Sequence, residues 1–285
     1  MTIAPYRPRG LRTVGRLTDS LRGTLARLGQ MVSFVVASVA LIPHALRNYP
    51  KQTVRTITDL TWGRGAVIVG GGTSLMMVVL GLAVGGTVAI QAFASLDLLG
   101  MGPLTGVIAA LANTREFAPI LAAAGFAVQA GCRMTAEIGA MRITEEIDAL
   151  EALGLRSISF VVSTRMIAGV VAIVPIFLIA IIVSFFASST IVTLAQGDAA
   201  GTYEHYFQQF LSPADLIASI AKVVVFICAV ILIHCYQGFF AAGGPEGVGV
   251  ASGRAVRASM VAIVVLDMLM TIGIWGASSE LVFRG

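Results

Sequence analysis

The chain has 285 residues, 57% hydrophobic and 12% charged, with a net charge of +4 and a mean hydropathy of +0.90. Soluble domains carry roughly 25% charged residues, so a water-soluble enzyme is excluded, as are a disordered tail and, despite a pI near 9.3, a nucleic-acid binder. Residues 1–64 hold ten of the 19 basic side chains and only two acids, Asp19 and Asp59; the remainder holds nine bases and 13 acids. A basic head on an apolar, slightly acidic body is the pattern of an all-α polytopic membrane protein with a cytoplasmic N-terminus.

The head divides into two stretches. Leu11, Val14, Leu17, Leu21, Leu25 and Leu28 recur at helical spacing opposite Arg12, Arg16 and Arg27. That pattern suits an amphipathic helix lying on an anionic cytoplasmic leaflet, or a solvated tail that supplies only topological charge. Met31–Ile42 is apolar but ends at Pro43. It falls short of the roughly 20 residues a crossing needs and is expected to be an interfacial helix. No cleavable signal peptide is expected, because the first 28 residues lack a continuous apolar core. The expected division is residues 1–64 as a basic, interfacial segment and 65–285 as a membrane domain.

Ala66–Phe93 reads as the first span; its Gly81-x-x-x-Gly85 would let another helix approach closely. The loop around Asp97 has no Lys or Arg and is placed outside. Met101–Thr114 and Phe117–Cys132 are apolar but separated by Arg115-Glu116, so a broken or re-entrant helix is expected there, its charges facing protein or water. After the polar stretch Arg133–Arg156, Met166–Ala195 is the next span. The loop from Gln196 to Pro213 again lacks Lys and Arg, Leu216–Ala242 returns inward, and Ala258–Ser279 crosses outward. The sum is about five crossings in the plasma (inner) membrane, with the N-terminus in and the C-terminus out. Of the basic residues only Arg284 falls outside, which supports that orientation.

No catalytic constellation emerges. Cys132, Cys228 and Cys235 sit in apolar runs without metal-site spacing and read as small buried hydrophobes. His44, His205 and His234 are scattered, and Gly243–Gly249 lacks the Lys-Ser/Thr of a phosphate loop, reading instead as a flexible turn. No catalytic residue, metal site or cofactor is expected in this chain.

Two groups of polar residues remain. Thr144 can N-cap a short helix with Glu145 and Glu146 in its first turn, and Gly154 can end it. Ile147, Leu150 and Leu153 form an apolar stripe, and Glu145, Glu146, Asp148 and Glu151 are four of the chain's 15 acids. Cytoplasmic loops normally attract Lys and Arg, so this helix reads as a docking ridge for a basic, grooved soluble partner, against the alternative of an ordinary solvated loop helix. Within the membrane, Arg133 and Glu137 are four apart and can pair, though with Arg N-terminal the order is the less favourable one. Lys222 and Asp267 lie inside their spans, where an unpaired ion costs several kcal/mol. They are expected to approach each other or to line a polar cavity.

The ordered set Arg115-Glu116-Phe117-Ala118-Pro119, Thr135-Ala136-Glu137-Ile138-Gly139-x-Met141 and Thr144-Glu145-x-Ile147-Asp148-Ala149-Leu150 with Gly154 resembles the MlaE/YrbE permease family. Cys235-Tyr236-x-Gly238, Gly243-Gly244-x-Glu246-Gly247-Val248-Gly249 and Ala255-Val256 extend the likeness, which covers roughly residues 65–280. With 17 Arg to 2 Lys and a richness in Ala, Gly and Val, the chain is similar to the YrbE permeases of mycobacterial Mce systems. The resemblance implies an ATP-driven lipid permease that imports fatty-acid-, mycolic-acid- or sterol-like lipids. Its implied partners are a second YrbE paralogue, a cytoplasmic ATPase pair that binds the ATP and Mg, and extracytoplasmic Mce tunnel proteins. It further implies that Thr144–Leu153 is the coupling helix and that lipid travels along an apolar cavity at the permease dimer interface, shaped mainly by the first and last spans. Gln129, Arg133 and Glu146 depart from the family pattern. An ion-coupled secondary transporter and a membrane scaffold are the alternatives.

Overall fold

A computed structural model of the chain describes residues 25–26, 28–63, 72–195 and 200–276. Most of the amphipathic stretch that starts at Leu11, and Arg284, lie outside the described residues. Helix α1 (Leu28–Ala40) meets α2 (Ile42–Asn48) at a 44° bend, and α3 (Pro50–Thr61) follows. Pro43 ends the first apolar run by opening the next helix: it sits in the first turn of α2, where its missing N–H would have been unpaired anyway. Helix α3 buries Thr53 and Leu60 and turns Lys51, Val54, Arg55 and Thr58 outward.

Among the described residues five helices are each long and apolar enough to cross a membrane, α4 (Gly72–Asp97), α5 (Gly102–Ile143), α7 (Ser159–Leu194), α9 (Pro213–Phe239) and α10 (Gly244–Trp275), and the bent pair α1–α2 is so when taken together. Short helices α6 (Glu146–Ala152) and α8 (Ala200–Phe210) cap opposite ends of the bundle. No strand occurs among the described residues. The 42 residues of α5 reach about 60 Å at 1.5 Å per residue, twice a hydrocarbon core of about 30 Å. The surplus is the polar run from Arg133 that carries the chain out to α6.

Two expectations need correcting. The second span does not break at Arg115-Glu116. The helix runs on and widens to π geometry over Ala109–Phe117 and again over Ala127–Gly131, because the two charges find partners on neighbouring helices and need no water-filled gap. The Gly-rich segment is also not a flexible loop beyond its first residues. Gly243, at φ 95, makes the turn, and the helix starts at Gly244 with Pro245 in its first turn. Arg254 and Arg257 therefore stand within α10, which starts well before the expected Ala258.

Helix α9 lies at the centre, against α5, α7 and α10, and α4 lies along α7. Phe126, Ile173, Phe177, Phe226, Ile227 and Ile231 form the middle of the core. Helix α1 seats Phe34 among Tyr236, Phe239 and Phe240, with ring centroids 5.5–5.9 Å apart. Helix α8 is pinned by buried Tyr203, whose hydroxyl lies 3.1 Å from Ser188 Oγ and whose phenol burial pushes above its usual range. The three cysteines are unpaired, Cys235 buried and the others half-buried.

Candidate functional site

The first feature is a charge cluster held by α5, α9 and α10. Pro119 has no N–H, so it cannot close the helical bond on Arg115 O in α geometry or on Thr114 O in π geometry. Side chains of α9 take both carbonyls: Ser219 Oγ donates to Thr114 O at 2.8 Å and Lys222 Nζ to Arg115 O at 2.6 Å. Lys222 is fully buried. Its Nζ pairs with Asp267 Oδ1 at 2.6 Å, donates to Thr271 Oγ1 at 2.9 Å, and lies 3.4 Å from both Glu116 carboxylate oxygens. Thr271 passes a hydrogen bond to Glu116 Oε1 at 2.9 Å. Arg115 Nη2 pairs with Asp215 Oδ2 at 2.9 Å under the Trp275 ring, and Trp275 Nε1 donates to Asp215 Oδ1 at 2.8 Å. Sequence reasoning had not singled out Asp215, Thr271 or Trp275. The signal for the last two was present: Asp267, Thr271 and Trp275 are each four apart and share one face of α10.

A second ionic group ties α5 and α7 together nearer α6. Arg133 Nε pairs with Glu137 Oε1 at 3.2 Å, and Arg165 Nη2 with Glu137 Oε2 at 3.2 Å. Arg165, nearly buried, also donates to Val161 O at 2.7 Å. Gln52, Thr56 and Asp59 of α3 share the small polar pocket around it. Arg165 was not singled out because it stands at the head of a span, where one basic residue is unremarkable.

The projecting helix α6 differs in detail from its sequence reading. Thr144 is not its N-cap: it ends α5, and its hydroxyl lies 3.0 Å from Ala140 O and 3.1 Å from Glu146 Oε1. Glu145 takes the cap position in the left-handed region at φ 58, a conformation costing roughly 1–2 kcal/mol for a residue with a Cβ. The Thr144 hydroxyl is spent on the preceding turn, which leaves the cap without a side-chain bond. The expected stripe also divides: Ile147 is buried and Leu150 half-buried against the bundle, whereas Leu153 is 76% exposed. Glu145, Glu146, Asp148 and Glu151 all face outward. Three of them have internal partners: Glu146 with Thr144 Oγ1 at 3.1 Å, Asp148 with Arg142 Nη1 at 2.6 Å and Glu151 with Ser157 Oγ at 2.6 Å.

Gly154 ends α6 in a Schellman turn at φ 75, with Gly154 N–H on Glu151 O at 2.9 Å and Leu155 N–H on Leu150 O at 3.0 Å. Open space surrounds it, so Gly154→Ala meets only backbone strain. The variant is expected to lose about 1–2 kcal/mol locally, read as faster amide exchange at Leu155 with the transition of the bundle unmoved.

The last feature is a cavity of about 580 Å³ between α4 and α5. Leu80, Ala83, Val84, Val88 and Ala92 line it from α4, and Ile108, Phe117 and Leu121 from α5; Thr87, Gln91 and Ser95 complete the α4 wall. The last span adds nothing to this cavity within the chain; the end of α10 is drawn toward α5 and α9 by Asp267, Thr271 and Trp275. What α10 turns outward instead is an apolar face of Val261, Val264, Val265, Met268, Leu269 and Ile272.

These features define an all-α polytopic membrane protein with an internal ion-pair network and an apolar lateral cavity; among the described residues no cluster of His, Cys, Asp and Glu could hold a metal. Residues 62–272 match the family described as Permease MlaE. The chain belongs to the MlaE permease family. It is 30% identical over 187 residues to a probable ABC transporter permease protein of Rickettsia bellii, covering 66% of this chain and 72% of that one. It is 28% identical over 206 residues to the intermembrane phospholipid transport system permease protein MlaE of Haemophilus influenzae, covering 72% and 79%. Over 188 residues it is also 28% identical to the chloroplastic TRIGALACTOSYLDIACYLGLYCEROL 1 protein of Arabidopsis thaliana, covering 66% and 54%.

Proposed function

We propose that this chain is the membrane-spanning permease subunit of an ATP-driven lipid transporter of the Mce type. The observation that carries the reading is the cavity: about 580 Å³, walled mainly by aliphatic side chains and, among the described residues, without a charged one, it suits hydrocarbon better than a sugar or an ion. The relatives named as ABC transporter permeases and as a phospholipid transport permease support the class of cargo and of motor. In this reading residues 65–285 are the permease domain, the α6 end faces the cytoplasm, and the lipid is fatty-acid-, mycolic-acid- or sterol-like and is imported. The outward face of α10 meets a second permease chain, and Mce proteins form the lipid tunnel on the outside.

ATP and Mg belong to a separate ATPase, which acts on this chain through α6. Leu153 is the exposed apolar knob, and Glu145, Glu146, Asp148 and Glu151 surround it with acid for a basic groove. The bonds from Arg142 and Ser157 hold Asp148 and Glu151 in fixed positions, and the long end of α5 carries movement of α6 into the bundle.

Changing Glu145, Glu146, Asp148 and Glu151 together to Lys is expected to abolish co-purification of the ATPase from native membranes while leaving the chain folded and inserted. Retained ATPase after that change would remove the coupling role. Lipid movement in vesicles that contain the permease but no ATPase would favour instead an ion-coupled transporter working through the Lys222–Asp267 cluster.

A further inference from the structure

The outward surface of α2 and α3 mixes two chemistries. Between Leu28 and Gly63 the chain carries three bases, Arg47, Lys51 and Arg55, and a single acid, Asp59. The three bases are exposed. Asp59 instead turns toward the bundle, into the small polar pocket it shares with Gln52, Thr56, Arg133, Glu137 and Arg165. Helix α3 thus directs its acid and its amide inward, and the charge it shows outside is wholly positive. Leu46, Val54 and Trp62 stand among the bases at 52%, 62% and 64% exposure. Lys51, Arg55, Thr58 and Trp62 follow one another at three- and four-residue intervals, so they share one face of the helix.

This surface is fixed at one rim of the bundle. His44 Nδ1 lies 3.0 Å from Ser159 Oγ, and Tyr49 packs edge-on against Phe160 with ring centroids 5.2 Å apart, which ties α2 and the start of α3 to the head of α7. Ser74 Oγ donates to Thr61 O at 2.8 Å and ties the end of α3 to the head of α4. Two spans therefore begin beside it, at the level where a bilayer passes from headgroup to hydrocarbon. Exposed leucine, valine and tryptophan would be poorly placed in water, and lysine and arginine poorly placed among acyl chains. The boundary between the two accepts both, with apolar groups and aliphatic stems turned down and charges turned up. Tryptophan is itself enriched at that depth. No acid of α1, α2 or α3 offsets the bases on this face, and a zwitterionic headgroup brings them no net charge. An anionic headgroup does, and basic side chains at a membrane surface draw it.

We propose that the outward face of α2 and α3 binds anionic phospholipid of the surrounding bilayer. Arg47, Lys51 and Arg55 meet the phosphate groups, and Leu46, Val54 and Trp62 meet the upper acyl chains. Such lipid is a standing neighbour of the permease and not its cargo.

The test uses Trp62, one of only two tryptophans, as a local reporter. The full chain is reconstituted in vesicles of dioleoylphosphatidylcholine that contain a small fraction of either dibrominated phosphatidylglycerol or dibrominated phosphatidylcholine, whose bromines quench indole on contact. The difference between wild type and Trp62→Phe isolates the Trp62 signal. Brominated phosphatidylglycerol is expected to quench that signal at least about three-fold more than brominated phosphatidylcholine, and Arg47→Gln/Lys51→Gln/Arg55→Gln should bring the two to the same level. Equal quenching of wild type by both lipids overturns the proposal, as does a preference that the triple variant keeps. If neither lipid quenches Trp62, the face lies out of the bilayer and is open to a protein partner, and the proposal fails. Dilute inorganic phosphate should leave the preference in place; its loss would show a site for free phosphate and not for lipid. Should the triple variant fail to fold, salt decides on wild-type protein. At about 1 M, where charges are screened beyond about 3 Å, the preference should fall toward one, and an unchanged preference overturns the role of the three bases.

Discussion

Lys222→Met is expected to be among the most destabilising single substitutions in the spans, at about 3–5 kcal/mol, the range for removing one partner of a buried ion pair. Methionine fills much of the same volume, so the loss comes from what remains behind. The cluster holds two cations, Arg115 and Lys222, against Glu116, Asp215 and Asp267; the variant leaves Arg115 alone, already committed to Asp215 at 2.9 Å. Asp267 would lose its 2.6 Å partner, and Arg115 O its donor, with Pro119 unable to supply another. Thermal unfolding in detergent should show a clearly lowered midpoint. Lys222→Met/Asp267→Leu should recover a good part of the loss, because removing both members of a buried pair is far less harmful than removing one. Recovery should stay incomplete, since Arg115 O and Thr271 would still lack the ammonium. A single variant that melts like wild type would mean that the pair is not closed in the membrane.

How much of this cluster was legible in the sequence depends on which force places each residue. Lys222 and Asp267 stood out because a charge in an apolar run has few places to go, and their approach follows from electrostatics alone. The crossings were legible for the same reason: the bilayer permits little besides apolar helices. Helix ends were less so. Thr144 looked like an N-cap because Ser/Thr before Glu is the usual pattern, but its hydroxyl turned back to α5 and left Glu145 to make the turn. Arg115-Glu116 looked like a break because partners contributed by α9 and α10 cannot be seen from α5. That α5 walls the cavity beside α4 within the chain was not legible, since which helices adjoin is set by packing and not by the pattern of any one of them.

The packing of α4 on α7 provides the second large effect, and it sets two adjacent glycines against each other. In lipid there is no hydrophobic drive to bring helices together, so close backbone contact is what holds a pair. A Cβ at Gly81 or Gly85 would run into the carbonyl oxygens of Ala180 and Ser184 respectively, and a helical carbonyl cannot swing aside as a side chain can. Gly85→Ala is therefore expected to cost about 3 kcal/mol or more, the upper end of overpacking penalties. Gly86, one residue on, points elsewhere: its Cβ would meet only the Cδ1 of Ile191, at 3.1 Å. A slight turn of that side chain makes room, and Gly86→Ala should be near neutral or gain up to about 1 kcal/mol from helix propensity. Thermal unfolding of the two variants side by side checks this, and equal midpoints would mean that α4 does not cross α7 at Ser184. The contrast also bears on transport. Val84, Thr87 and Val88 of the same helix turn form the cavity wall, so pushing α4 off α7 displaces that wall toward α5. Gly85→Ala should thus lower lipid retention more than its loss of stability accounts for, while Gly86→Ala leaves retention as it was.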